Sequence, residues 1–249
     1  MTRKYPTSDV KMLYGRAAGR CAFSDCRKDL ILEATEKDSN KQIGKICHII
    51  AHSGGGPRAD STYPADKVDT YENWILLCPT CHDRIDAQDK TYSIDELRKI
   101  KSDHEMWIRE AIKSAVSDIT FAELEVVTKF LISGKYDASG SYTLIPPDEK
   151  IKKNGLSSEI KALILSGAMQ AKQVGDYINA SIDIEFGERL KQGFADKYAE
   201  CKNDLKLCGD DLFMVLLEFA SGGSQDFKQK AAGLAILVYL FERCEVFEK

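Results

Sequence analysis

The sequence lacks the long apolar segments that membrane insertion and secretion require. Its longest apolar run, Ala231 to Phe241, is too short to span a bilayer and is followed directly by charged residues. Near the amino end, Arg3 and Lys4 are not followed by the apolar core of a signal peptide. These absences predict a soluble, cytoplasmic protein with no membrane partner.

The sequence also lacks the overall excess of positive charge that many nucleic-acid-binding proteins carry. The formal net charge is −4, and residues 1–118 hold 19 basic and 19 acidic side chains, against 16 and 20 in residues 119–249. Residues 1–58 alone hold 11 basic and 6 acidic side chains. The distribution argues against an electrostatic funnel formed by the whole protein. It leaves two interpretations open, a local phosphate-binding face near the amino end and an ordinary solvated surface.

The sequence contains eight cysteines, and four of them form two close pairs. These are Cys21-x4-Cys26 and Cys78-x2-Cys81, about fifty residues apart. Four thiolates at this spacing suit one tetrahedral zinc ion, with each pair on a tight turn. Buried free thiols or two disulfides are the alternatives, and a reducing cytoplasm disfavours the disulfides. We therefore predict a structural zinc site.

Histidine is scarce, with four in the chain, and three of them lie between positions 48 and 82. His48 is the candidate general base for phosphodiester hydrolysis, since imidazole titrates near neutral pH. His82 is a candidate ligand of a catalytic metal, and Asp86 would lie on the same helical face one turn later. Asn73 would orient the loop or hold the base through its amide.

Three further residues are candidates for contact with substrate. Arg58 follows a glycine-rich turn, where the backbone can approach a ligand closely and a guanidinium can grip phosphate. Arg84 is a second candidate of the same kind. His52 shares a face with His48 if this segment is extended, although a loop hydrogen bond is the preferred interpretation.

Together these residues resemble the HNH endonuclease family, which has a ββα-metal finger. The likeness covers about residues 20–110 and rests on HIIAHSGGGPR (48–58), YENWILLCPTCHDRID (71–86) and the two cysteine pairs. This segment is similar to the nuclease domains of bacterial anti-phage effectors. The resemblance implies metal-dependent DNA cleavage, with His48 as the base, Asn73 as the structural asparagine and His82 as a ligand of Mg²⁺, Mn²⁺ or Ni²⁺.

One position departs from the family pattern. Many members have an acidic residue or a histidine, acting as a metal ligand, directly before the base, and here that residue is Cys47. Thiolate is a poor match for magnesium. Three explanations are open: Cys47 is a bystander and water completes the coordination, it selects a softer metal, or the site is weakened.

The local patterns predict an α+β protein with two domains, residues 1–118 and 119–249. The first should contain a short helix at 8–19, a strand at 43–50, a turn at Ser53 to Pro57, a helix starting after Pro79 and another starting at Ser93.

The second domain should be a helical bundle. Its predicted helices lie at 121–131 and near 157–180, 185–203, 210–220 and 225–247, with a possible short strand at Tyr142 to Ile145. The stretches 211–220 and 231–241 are apolar almost all round, which favours burial in a core or against another chain. This part also resembles, more weakly, the carboxy-terminal domains of bacterial three-component ABC-type conflict systems.

Two functions follow. The first is a DNA endonuclease that is assembled or regulated through its helical domain, as a homo-oligomer or with a defence-system partner. The second is a catalytically weak, zinc-stabilised nucleic-acid-binding or adaptor protein. The intact His48, Asn73 and His82 favour the first, whereas Cys47 favours the second.

Overall fold

The computed structural model describes residues 3–132, 147–183 and 185–243 and divides the chain into two compact units. Unit 1 is Met1–Ile108 and unit 2 is Arg109–Lys249. The division falls inside a long helix, whereas the sequence patterns place it after that helix, near residue 118. The described residues are mainly helical with two small two-stranded sheets, in agreement with the α+β prediction.

A strand pair followed by a helix lies at the centre of unit 1. Strand β3 (Lys45–His48) pairs antiparallel with β4 (Trp74–Leu77), and the register sets His48 opposite Trp74. Helix α2 (Pro79–Ala87) follows β4 directly. Pro79 occupies a first-turn position, where its missing N–H has no helical partner to lose. The predicted strand and helix are thus confirmed, although the strand is shorter than expected.

The remaining elements of unit 1 surround this ββα arrangement. Helix α1 (Thr7–Ala17) ends at a left-handed Ala18 and is followed by the short antiparallel pair β1 (Ile31–Leu32) and β2 (Lys41–Gln42). Helix α3 (Ile94–Ala115) begins where the Ser93 hydroxyl accepts a hydrogen bond from the Glu96 N–H at 3.2 Å. The core of the unit includes all four residues of β4, which are fully buried.

Unit 2 is helical in its described residues. Its helices after α3 are α4 (Phe121–Leu131), α5 (Pro147–Lys153), α6 (Ser158–Ala168), α7 (Ala171–Asn179), α8 (Phe186–Ala199), α9 (Gly209–Ala220) and α10 (Phe227–Arg243). Helices α9 and α10 bury most of their residues inside the unit, in agreement with the predicted core role. The possible strand at Tyr142 to Ile145 lies outside the described residues.

Unit 2 differs from the predictions in one helix break and in one additional helix. The single helix expected near 157–180 is two helices, α6 and α7, which meet at Met169 and Gln170. The Gln170 amide donates to the Val116 carbonyl at 3.1 Å, which fixes the chain at the break. Apolar periodicity runs across the break, so spacing alone does not reveal it. The short helix α5 was not predicted.

No helix within the described ranges has the length and apolar character of a membrane span.

Candidate active site

The four paired cysteines meet at one point in unit 1. Their Sγ atoms all lie within 4.8 Å of one another, and those of Cys26 and Cys78 are 3.9 Å apart. A tetrahedral ion with metal–sulfur bonds of about 2.3 Å needs sulfur atoms roughly 3.8 Å apart. Three of the four side chains are buried. The cluster is therefore compatible with a structural metal ion.

Local turns aim each cysteine pair at this point. In the first pair, the N–H groups of Cys26 and Arg27 both donate to the Phe23 carbonyl, and Arg27 has a φ of 49°. In the second pair, the Cys81 N–H donates to the Cys78 Sγ at 3.4 Å. Burial raises the pKa of Cys21 to about 11, so a cation that binds here must displace protons.

Arg84 lies on α2, and its side chain contacts residues around the first cysteine pair. Its two terminal nitrogens donate to the Asp25 carboxylate at 3.1 and 3.3 Å, and its guanidinium lies 4.0 Å from the centre of the Phe23 ring. The substrate role predicted for Arg84 has no support from this placement. The side chain is engaged in holding the two halves of the cysteine cluster together.

The other candidate residues do converge. A cavity of about 150 Å³, which we call the first cavity, lies between the end of β3, the loop that follows it and α2. Six predicted site residues line it: Cys47, His48, His52, Arg58, His82 and Asp86. Arg3 also lines this cavity and was not predicted.

His48 is held by a carboxylate that the sequence patterns did not single out. The Nε2–H of His48 donates to Asp69 Oδ1 at 2.8 Å, and Asp69 Oδ2 accepts from the Lys4 N–H at 2.7 Å and lies 3.7 Å from His52 Nε2. A carboxylate only accepts, so this contact puts the ring proton on Nε2 and leaves a lone pair on Nδ1. Burial lowers the pKa of His48, although Asp69 opposes that shift. The ring is thus neutral at pH 7.

Asn73 is not among the residues that line the first cavity, and its side chain clamps the loop that leaves β3. Its side-chain Oδ1 accepts from the Ile50 N–H at 2.9 Å, and its Nδ2 donates to the Ile50 and Val68 carbonyls at 3.0 and 2.9 Å. The side chain is buried. Asn73 therefore joins the two ends of the long β3–β4 connection, which carry His48 and Asp69.

His82 and Asp86 face the same side of α2, as the four-residue spacing predicted. His82 Nε2 lies 3.6 Å from Asp86 Oδ2, and both side chains are partly exposed to solvent. Together they offer one imidazole nitrogen and one carboxylate oxygen, which are two of the six donors that an octahedral cation takes. The structure thus leaves room there for water or substrate oxygen.

Arg58 is directed into the protein, although it lines the first cavity. Its Nε donates to the Ile49 carbonyl at 3.1 Å, its Nη1 to the Ile85 carbonyl at 2.7 Å, and its Nη2 to Asp86 Oδ1 at 2.9 Å. The side chain is 5% exposed. Three of its five N–H groups are therefore committed to holding Asp86 and α2 in place, and the geometry supports this positioning role more than the predicted grip on phosphate.

Cys47 is a buried thiol whose Sγ donates to the Lys45 carbonyl at 3.4 Å. Burial raises its pKa well above the ordinary value, with the nearby Asp86 adding to the effect. The thiol is accordingly protonated at neutral pH. Because Cys47 lines the first cavity together with His82 and Asp86, its position is compatible with each of the three explanations.

The residues missed by sequence reasoning, Asp69 and Arg3, carry no distinctive spacing. Asp69 is one of several carboxylates in the β3–β4 connection, and its proximity to His48 follows from the strand register. No known family model matches this chain, and no curated protein matches it.

Proposed function

We propose that this protein is a metal-dependent HNH-type endonuclease that hydrolyses DNA phosphodiester bonds. The observation that carries the proposal is the convergence of His48, His82 and Asp86 on one cavity within a ββα unit. Asn73 supports the proposal because it clamps the loop that follows His48. Hydrolysis of a phosphodiester needs a general base, ligands for a cation and residues that position them. We assign these roles to His48, to the pair His82 and Asp86, and to Asn73.

His48 acts as the general base through Nδ1. It accepts a proton from a water molecule while the water oxygen forms a bond to phosphorus, and the bond from phosphorus to the leaving oxygen breaks. The leaving oxygen then takes a proton from solvent. Asp69 keeps the other ring proton on Nε2, so that the lone pair stays on the nitrogen that must receive the proton. Arg3, on the cavity wall, supplies positive charge for the phosphate.

His82 and Asp86 are the residues that would hold the catalytic cation. Their nitrogen and oxygen donors suit Mg²⁺, Mn²⁺ or Ni²⁺, and their partial exposure leaves the remaining positions to water and substrate. When bound, such a cation supplies Lewis-acid stabilisation of charge on the phosphate and the leaving oxygen. Arg58 fixes Asp86 beside His82 through its contact with Asp86 Oδ1.

The four-cysteine cluster is proposed to hold Zn²⁺ in a structural role. Four sulfur donors favour zinc over magnesium or calcium, and a closed shell of four protein ligands leaves no position for substrate. The first cavity has its own lining residues, and none of these four cysteines is among them. The two sites are therefore assigned different tasks.

A place in bacterial anti-phage defence is proposed from the HNH resemblance alone. Unit 2 would assemble the protein with copies of itself or with a defence-system partner.

The alternative is a catalytically weak, zinc-stabilised nucleic-acid-binding or adaptor protein. The observation that favours it is Cys47, a buried neutral thiol where many HNH proteins have a metal ligand. A metal held by two protein ligands is bound more weakly than one held by three. A nuclease with this defect would need more metal for the same activity.

Cleavage of supercoiled plasmid tests the proposal and its alternative together. The wild-type protein should nick or linearise plasmid in Mg²⁺, Mn²⁺ or Ni²⁺ and should be inactive with a chelator. Asp86→Asn should raise the metal concentration that gives half-maximal cleavage by about tenfold, because a carboxylate ligand is lost. Asp89→Asn, an exposed carboxylate just beyond the end of α2, is the matched control and should leave it unchanged. Absence of cleavage in every metal would support the alternative.

A further inference from the structure

Unit 1 contains a second cavity, larger than the first, that the proposed chemistry does not use. Its volume is about 780 Å³, and it lies between the amino-terminal segment at Lys4 to Pro6 and the β3–β4 connection. Its more buried side chains include His52, Tyr63 and Val68, and its exposed rim includes Asp60 and Asp66. The volume is within the range of small-molecule binding sites.

The two cavities are neighbours. Ala51 and His52 line both of them, so these two residues separate the cavities at this point. Asp69 lines the second cavity and bonds to His48, which lines the first. A group bound in the second cavity therefore lies next to the candidate active site at His48.

The charges that line the second cavity disfavour phosphate in its interior. Asp60 and Asp66 stand at the rim with Lys4, which gives an excess of negative charge, and hydrogen bonds from Thr62 keep the pKa of Asp60 low, so its carboxylate is charged. The floor instead offers the aromatic ring of Tyr63, the imidazole of His52 and the aliphatic surface of Val68. Surfaces of this kind stack flat uncharged rings such as nucleobases.

We propose that the second cavity binds the base of a nucleotide next to the cleaved phosphate, which limits the substrate to single-stranded or locally unpaired DNA. This inference rests on the proposed nuclease function. A phosphate beside His48 and a base in the neighbouring cavity are adjoining parts of one strand. A base that is paired and stacked in a duplex cannot enter a cavity, so the strand must be open at this position.

Binding of labelled oligonucleotides to the full-length protein tests the proposal. The three probes, used without added Mg²⁺, are a single-stranded oligodeoxycytidylate, an abasic strand of the same length and the corresponding duplex. Wild type should bind the base-containing single strand about tenfold more tightly than either other probe, the usual scale for one stacked base. Tyr63→Ala should remove most of that difference. Phe130→Ala, which deletes a half-exposed ring in unit 2, is the matched control and should keep it.

A second variant, Ala59→Leu, fills the rim of the cavity without removing a packed side chain and should also remove the difference. Equal binding of the abasic and base-containing strands by wild type would overturn the subsite, as would an unchanged difference in both Tyr63→Ala and Ala59→Leu. Cleavage of the base-containing single strand in Mn²⁺ by the same wild-type preparation separates the two failures. Cleavage without base dependence overturns the subsite alone, whereas base dependence without cleavage overturns the nuclease and leaves a binding site for single strands.

Discussion

His48 depends on Asp69 for its proposed activity, because the carboxylate decides which ring nitrogen carries the proton. Burial lowers the pKa of His48, so the neutral form persists below pH 6.5. The neutral imidazole is the form that accepts a proton. Cleavage should therefore be on its plateau at pH 7 and should fall only as the pH drops through a value below about 6.5.

Asp69→Asn should reduce the plateau rate about 100-fold, the lower end of what a positioned general base contributes. The substitution also removes the charge that raises the pKa of His48, so the acidic limb of the pH–rate profile should move to lower pH. A plasmid-cleavage profile between pH 5 and 8 measures both effects. Glu72→Gln, an exposed carboxylate on the same connection, is the control. An unchanged rate in Asp69→Asn would contradict the role of this pair.

Arg58→Ala should destabilise unit 1 by about 2–4 kcal/mol, because the substitution leaves two carbonyl groups and Asp86 without a buried donor. Arg58 also has a φ of 60°, a conformation that its side-chain contacts help to hold. Urea unfolding followed by circular dichroism measures the loss. Arg98→Ala, which removes an exposed arginine, should change the unfolding free energy by less than about 0.5 kcal/mol. Equal stability of the two variants would show that Arg58 is not structural.

At the scale of elements, helix α2 connects the cysteine cluster to the candidate active site. It starts at the second cysteine pair and carries His82 and Asp86 one turn apart. Loss of the cluster should therefore disturb both sites together.

Cys78→Ala should abolish bound zinc and lower the thermal stability of unit 1, because metal binding contributes directly to the folding free energy of such sites. Metal content by atomic emission and thermal unfolding measure the two effects. Cys208→Ser alters an exposed cysteine in unit 2 and should keep full metal content. Retained zinc and an unchanged melting temperature in Cys78→Ala would remove the structural role of the cluster.

The sequence patterns predicted α2, β3 and the cysteine cluster because their signals are local. Proline at the helix start, a run of apolar and β-branched residues and short cysteine spacing all act within a few residues. Asp69 was missed because its contact with His48 spans 21 residues and depends on strand register. The inward direction of Arg58 was missed for a similar reason, since its partners are Ile49 and α2.

At the scale of the whole molecule, the two units have different characters. Unit 1 carries the candidate chemistry, whereas unit 2 is a helical unit whose helices α9 and α10 form much of its core. The net charge of −4 is consistent with a protein that engages DNA through a local site.

The most direct test of the nuclease assignment compares wild type with His48→Ala in cleavage of supercoiled plasmid and of single-stranded DNA across Mg²⁺, Mn²⁺ and Ni²⁺. Wild type should cleave in at least one of these metals, and His48→Ala should be at least about 100-fold slower while keeping its zinc content and melting temperature. Equal cleavage by the two proteins, or no cleavage of either DNA by wild type in any metal, would contradict the assignment.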